Sequence, residues 1–365
     1  MRAVVIEDVR AQPEVREVSA PFAPDGGVVV DVRATGLCRS DWHAWAGHDD
    51  AITWPHVPGH ELAGVVSAVG AGVQRWRVGD RVTVPFACGC GRCSWCADGD
   101  AQVCPDQEQP GFTHWGSFAE QVVLHAADTN LVALPDGVDF ATAASLGCRF
   151  ATAYRALVAR ARLTKGEWVT VVGAGGVGLS VVMIARALGA RVVAVDRNPA
   201  ALAVAAELGA EHTVLADGDD VAAGVRGGDA REAGADGTDV ASTVMELTGG
   251  GAHVAVDAVG SEQTCATALL SLRRRGRHVQ VGLLPPVDGH PRVPMARVIG
   301  WEIDVLGSHG MAAVDYPGML ALIESGALAP QRLVERVVGL EEAAALLPGF
   351  DTASVAGMTI IDPSR

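Results

Sequence analysis

Positive charge is scarce in this chain. Its 28 lysines and arginines face 43 aspartates and glutamates, a formal net charge of −15. That balance argues against nucleic acid or an anionic membrane surface as the main partner. No uninterrupted apolar run reaches membrane-spanning length. The opening Met1-Arg2-Ala3-Val4-Val5-Ile6 runs straight into Glu7-Asp8, without the basic-then-apolar order of a secretory leader. The expectation is a soluble, cytoplasmic protein. No internal repeat is evident, and a chain of 365 residues has no need of disulfide staples.

What is present points to chemistry. The length favours two domains, and a hydrophobic content of 49% is ample for packed interiors. The first third reads as a small irregular β domain. Short β-branched runs lie at Ala3–Ile6, Val28–Val32, Leu62–Gly70 and Val78–Val84, separated by turn residues. The stretch from Phe112 to Leu134 reads as β again, and Ala141 to about Ala161 as helical.

Cysteine is the most informative residue type. Five of the eight fall between Cys88 and Cys104. Cys90, Cys93, Cys96 and Cys104 are spaced C-x2-C-x2-C-x7-C. Two-residue gaps let thiolates converge on one ion, and four thiolates close a tetrahedron, so the pattern predicts a structural zinc. Bacterial ferredoxin spacing differs, and four unligated surface thiols would be an oxidation liability. Cys88 and Cys265 read as small apolar residues.

A second set is dispersed: Cys38 in Cys38-Arg39-Ser40-Asp41-Trp42-His43, His60 in Gly59-His60-Glu61, and Cys148. Singly, each reads as a buried thiol or a satisfied core histidine. Together they make a three-ligand N/S pocket, the donor set of a catalytic zinc with an open fourth position.

Further on, the buried run Trp168–Val172 leads into Gly173-Ala174-Gly175-Gly176-Val177-Gly178 and then a helical run, Leu179 to Leu188. A strand, Arg191–Asp196, follows and ends in an acid eighteen residues past Gly178. This is the G-x-G-x-x-G turn of a dinucleotide-binding unit. Gly173 makes the turn, Gly175 admits a pyrophosphate, and Gly178 lets helix and strand pack closely, while the amides of Gly176 and Val177 open the helix N-terminus. Asp196 suits an adenosine ribose and repels a 2′-phosphate, which favours NAD over NADP, although Arg197 beside it would tolerate extra phosphate. Strands at Thr213–Leu215, His253–Val256 and Arg277–Val281, and helices at Pro199–Leu208 and Gln263–Leu272, continue an alternating pattern that predicts a doubly wound parallel sheet. Asp217 to Asp239 reads as a solvated insertion. The last segment, with helices near Tyr316–Ser325 and Leu340–Leu347 and strands at Val334–Val338 and Met358–Ile361, is too short for a domain of its own.

These motifs, in this order and over nearly the whole length, resemble the zinc-dependent medium-chain alcohol dehydrogenases. The resemblance implies an α/β architecture: a GroES-like catalytic domain over 1–149 and 307–365, with a structural-zinc lobe at about 88–104, and a Rossmann NAD-binding domain over 150–306. It implies two Zn²⁺ per subunit, one held by Cys38, His60 and Cys148 and one by the four-cysteine lobe. It makes Ser40 the hydroxyl that takes the alcohol proton, His43 the next carrier, Asp41 the support of His60, and Glu61 a carboxylate able to approach the metal. It sets Arg39 by the cofactor pyrophosphate. Phe86 and Phe118 are implied channel residues, with Trp45, Trp54, Trp115 and Leu283 as candidates to narrow or cap it. An aromatic channel suits a primary, small secondary, aryl or allylic alcohol, oxidised reversibly to aldehyde or ketone. The short link from Cys104 to Phe118 looks like that of tetrameric microbial members. One departure stands out: Ala356-Gly357-Met358 occupies a place where many members carry an arginine that meets the pyrophosphate and Glu61.

Three alternatives bear on this reading. A zinc-independent quinone or enoyl reductase would lack the Cys38–His60–Cys148 set. A polyol or amino-alcohol dehydrogenase would share the chemistry and differ in the pocket. A zinc- and dinucleotide-binding sensor or structural protein would have no use for a Ser40–His43 relay.

Overall fold

A computed structural model of the chain describes residues 1–50, 52–216, 240–284, 289–350 and 357–365. The Asp217–Asp239 insertion lies outside the described residues. The chain divides into two compact units, Met1–Ala151 with His309–Arg365, and Thr152–Ser308.

The first unit begins with a hairpin of β1 (Arg2–Val5) and β2 (Glu14–Glu17). The long strand β3 (Val28–Leu37) then pairs antiparallel with β4 (Glu61–Val69), and β4 with β5 (Arg81–Thr83). β3 is half of the unit's frame. Its pairing sets Gly36 opposite Glu61, so the residues just beyond, Cys38 on one strand and His60 on the other, are brought to the same end of the sheet. β6 (Gln121–Leu124) also pairs with β3, and β7 (Val132–Ala133) with β5. Much of the stretch between Phe112 and Leu134 is therefore not strand. Gly111 and Gly116 break its first part, and Ala127–Asn130 forms a helical turn.

The helical stretch over 140–160 is not uniform. A helix at Phe140–Ala144 passes into a π-helical turn, Leu146–Phe150, which contains Cys148. Such turns insert a residue into the helical ladder and often mark functional sites. Ala143 and Ala144 pack on Ala34 of β3 and Ala63 of β4, and these short side chains let the helix sit close to the sheet.

Among the described residues the second unit holds six parallel strands, β8 (Trp168–Val172), β9 (Arg191–Asp196), β10 (His212–Leu215), β11 (Ala252–Asp257), β12 (Leu272–Gln280) and β13 (Asp304–Gly307). Their spatial order is β10-β9-β8-β11-β12-β13. That is the Rossmann order, whose direction of winding reverses between β8 and β11. Every residue of β8 is buried, as expected of a central parallel strand covered on both faces. The helices Val240–Leu247 and Met295–Trp301, and strand β13, were not expected from the sequence. The chain then returns to the first unit, where β14 (Val334–Val338) pairs parallel with β15 (Met358–Ile361), and β15 pairs with the end of β3.

Among the described residues, no helix is long and apolar enough to cross a membrane.

Candidate functional site

Cys38 ends the turn after β3 and begins a short helix, Arg39–Trp45. Asp41, in the first turn of that helix, is wholly buried. Its Oδ2 accepts from the Cys38 N–H at 2.8 Å, and its Oδ1 from the Gly59 N–H and His60 Nδ1–H, each at 3.1 Å. One carboxylate thus ties the two loops together and fixes the His60 ring. With Nδ1–H committed to Asp41, the free nitrogen is Nε2, and it is buried without a hydrogen-bond partner. Donor atoms of Cys38, His60, Glu61 and Cys148 all lie within 4.8 Å of one another.

An orphaned nitrogen among sulfurs fits a metal ion better than it fits a packed core. The electrostatics agree. Burial opposes a charge on His60, but the Asp41 carboxylate and the Cys38 sulfur outweigh it and raise its pKa well above the ordinary value. The hydrogen bond from Cys148, with help from His60 and Arg149, holds the Cys38 thiol well below its usual pKa despite burial. The same bond and burial push Cys148 up. Phe86 and Phe112 stand edge-on to the His60 ring, at centroid distances of 6.2 and 5.3 Å, and make an apolar wall.

Arg149 was not anticipated. It is buried beside Cys148 and grips Glu61: Nε donates to Oε1 at 3.0 Å, Nη2 makes a short contact with Oε2, and the backbone N–H reaches Oε1 at 3.3 Å. Burial raises the Glu61 pKa, and the Arg149 charge works against that rise. Met358, buried in β15, offers no charge, so Arg149 is the cation that Glu61 meets. Gly36 makes room for the pair, since a Cβ there would run into Glu61 Oε2.

Ser40 and His43 lie three residues apart on the Arg39–Trp45 helix, a spacing that sets both on one side. The Cys38 thiol points to Ser40 Oγ at 3.8 Å. His43 Nδ1 lies 2.9 Å from Nδ1 of His48, an exposed histidine that the sequence reading passed over. Of the implied channel residues, Phe118 is wholly buried in the core with Val4, Leu37 and Val57, and Trp45 and Trp54 pack against that same cluster. Trp115 is 39% exposed and donates from Nε1 to the Pro55 carbonyl at 3.0 Å. Leu283, in the second unit, is 81% exposed.

The four-cysteine lobe is gathered as its spacing requires. Cys93 Sγ lies 3.5 Å from Cys96 Sγ and 3.6 Å from Cys104 Sγ, and all four donors fall within 4.8 Å of one another. The Arg92 amide, pointing at Cys90, lowers its thiol pKa to about 6, whereas burial pushes Cys96 up to about 12.

In the second unit, Gly175 caps the helix Gly176–Ala187 and has open space where a side chain would stand. Gly178 is required by packing, because a Cβ would strike the Gly173 carbonyl oxygen. Asp196, at the end of β9, accepts from the Ala174 N–H at 2.6 Å and from the Asn198 N–H at 2.8 Å, and Arg197 beside it is exposed. The carboxylate is thereby fixed next to the glycine turn, and each oxygen keeps a lone pair for a ribose hydroxyl.

Residues 24–136 match the family model described as alcohol dehydrogenase GroES-like domain, and residues 176–325 match that of zinc-binding dehydrogenase. An alcohol dehydrogenase of Geobacillus stearothermophilus is 36% identical over 78% of this chain and 78% of its own. The chain belongs to the zinc-dependent medium-chain alcohol dehydrogenase family. An alcohol dehydrogenase of Moraxella sp. (strain TAE123) is 34% identical over 86% of this chain and 89% of its own. A solved NAD-dependent alcohol dehydrogenase superposes with a TM-score of 0.84 at 29% identity, over 99% of both chains. Membership makes the protein an oxidoreductase of the zinc type that uses a nicotinamide cofactor and a small-molecule alcohol.

Proposed function

We propose that this dehydrogenase oxidises primary or small secondary alcohols, aryl and allylic ones included, to aldehydes or ketones, reversibly and with NAD. Cys38, His60 and Cys148 would hold the catalytic zinc, and Cys90, Cys93, Cys96 and Cys104 a second, structural one. The observation that carries the reading is the buried, partnerless His60 Nε2, aimed among two thiols while Asp41 holds the other side of the ring.

When bound, the zinc supplies a Lewis acid that makes the alcohol O–H acidic near neutral pH. The chain's own residues do the rest. Asp41 fixes the tautomer and orientation of His60. Phe86 and Phe112 keep water from the metal side. Arg149 holds Glu61 by both oxygens, so the carboxylate stays beside the ligand set. Ser40 takes the alcohol proton and His43 passes it on. The 2.9 Å contact with exposed His48 supports an exit to solvent by that route. Gly175 admits the pyrophosphate to the helix N-terminus, and Asp196 accepts from the ribose hydroxyls. That a solved relative at 29% identity is an NAD-dependent alcohol dehydrogenase supports the same cofactor here.

A homo-oligomer is part of the proposal. Edge strand β13 exposes Val305, and the adjacent helix Met295–Trp301 has no buried residue and exposes Ile299 by 74%. Among the described residues the outer edge of β13 is unpaired, and an open strand edge beside apolar side chains suits a second copy of the chain.

Cofactor choice has a direct test. Asp196→Gly is expected to lower kcat/KM with NAD and raise it with NADP, shifting the ratio by at least about tenfold, as the loss of roughly 1.4 kcal/mol of discrimination implies. An unchanged ratio would remove Asp196 from the ribose site. The substrate test is a panel of ethanol, benzyl alcohol, geraniol and sorbitol. Turnover of the first three is expected, and activity confined to sorbitol would overturn the pocket assignment.

A further inference from the structure

A third group of donors lies apart from both thiolate sets. Glu108, His114 and His125 bring one ligand atom each to within 4.8 Å of the other two. We propose that these three residues form a further metal site, for a borderline divalent ion such as Zn²⁺, Co²⁺ or Ni²⁺. The proposal does not depend on the catalytic reading.

The first argument is the state of the donors. His114 Nδ1–H donates to the Trp115 carbonyl at 3.0 Å, which leaves its Nε2 as the lone-pair side. A ring nitrogen backed by a carbonyl on its other side is the usual arrangement of a metal-bound histidine. His125 Nδ1 and Glu108 Oε2 share a proton at 2.6 Å, and the two imidazole rings stand edge-on at 5.1 Å. A divalent ion can replace the proton between them if the N···O separation opens from 2.6 Å to roughly 2.8–3.6 Å, the span of two metal–ligand bonds of about 2.0–2.2 Å at octahedral to tetrahedral angles.

The second argument is the scaffold. The donors come from three places on the chain, and each backbone is tied down. Glu108 exchanges both backbone hydrogen bonds with Cys88 at 2.8 Å. The His114 carbonyl accepts from the Gly111 N–H at 2.9 Å. Asn130 Nδ2 donates to the His125 carbonyl at 3.1 Å and to the Gly89 carbonyl at 2.9 Å, which joins the His125 segment to the residue next to Cys88. Little chain entropy is left to lose on binding.

Two imidazoles and a carboxylate select ions of intermediate softness. All three side chains are half-exposed, so water completes the coordination and the ion exchanges more freely than one held by four thiolates. The segment from Glu108 to His114 also carries Phe112, which packs on His60. An ion at this site therefore staples the chain that forms one wall of the catalytic pocket.

The test uses untagged holoprotein stripped of weakly held metal, then dialysed against Zn²⁺ and separately against Co²⁺. We expect one more ion per chain than in His114→Ala, with at least about tenfold weaker binding in His125→Ala or Glu108→Gln. The added Co²⁺ should show weak visible d–d bands without thiolate charge transfer, which separates it from both cysteine sites. Equal stoichiometry in the wild type and all three variants would overturn the proposal. So would charge-transfer bands on the added ion. Emptiness of the thiolate sites would be seen in the same spectra and would count against the catalytic reading alone.

Discussion

Replacing Arg149 by Met is expected to cost about 3–5 kcal/mol of stability, the usual result of removing one partner from a buried ion pair. Glu61 is wholly buried, and Arg149 supplies the side-chain donors to both of its oxygens. Without the guanidinium, the carboxylate must stay charged in an apolar setting or take up a proton. Removing both charges should behave differently. Arg149→Met combined with Glu61→Met is expected to recover most of the loss, because an apolar replacement of a whole buried pair is often neutral. Urea unfolding of the wild type and the two variants checks this. A single-variant cost under about 1 kcal/mol would mean that solvent reaches the pair. A double variant no better than the single would mean that Arg149 acts through packing instead of charge.

The second large effect is at Cys148. Cys148→Ser exchanges a soft thiolate for a hard hydroxyl and leaves Cys38 and His60 as the remaining strong donors. Affinity at that site should fall by more than the roughly 10–100-fold that loss of a supporting group costs. After removal of weakly held ions, the zinc content is expected to drop from two to one per chain, with turnover falling to background. The four-cysteine lobe, more than forty residues away in sequence and closed on itself, should keep its ion. Retention of two zincs would contradict the ligand assignment.

What could be read from the sequence was what is local. The four cysteines span fifteen residues, and the glycine turn is followed at once by its helix and strand, so spacing alone carried their geometry. The parallel sheet was legible because its central strands are short, apolar and punctuated. Helix Met295–Trp301 was not, because it is only seven residues long, too short for a helical period to stand out, although Val298 and Trp301 pack on the core. Edge strand β13 is shorter still, four residues and mostly exposed. The π-helical turn around Cys148 leaves no mark in the residue pattern. The pairing of Glu61 with Arg149 spans 88 residues. The sequence displays the loss of an arginine near Met358, and only the fold displays the replacement. Glu108, His114 and His125 likewise have no metal-ligand spacing and meet through loop packing. Phe118 was assigned by resemblance to the channel, whereas its side chain lies wholly within the core cluster of the first unit.

In the proposed reaction, hydride passes from an alcohol to NAD, with Cys38, His60 and Cys148 as the proposed metal ligands. Benzyl alcohol carrying deuterium at both C1 positions tests it most directly. One deuterium is expected in the reduced nicotinamide for each aldehyde formed, with transfer abolished in Cys148→Ser. Full occupancy of both thiolate sites and bound NAD, with no deuterium transferred from any alcohol offered, would contradict it and favour a protein that binds zinc and dinucleotide without turning over.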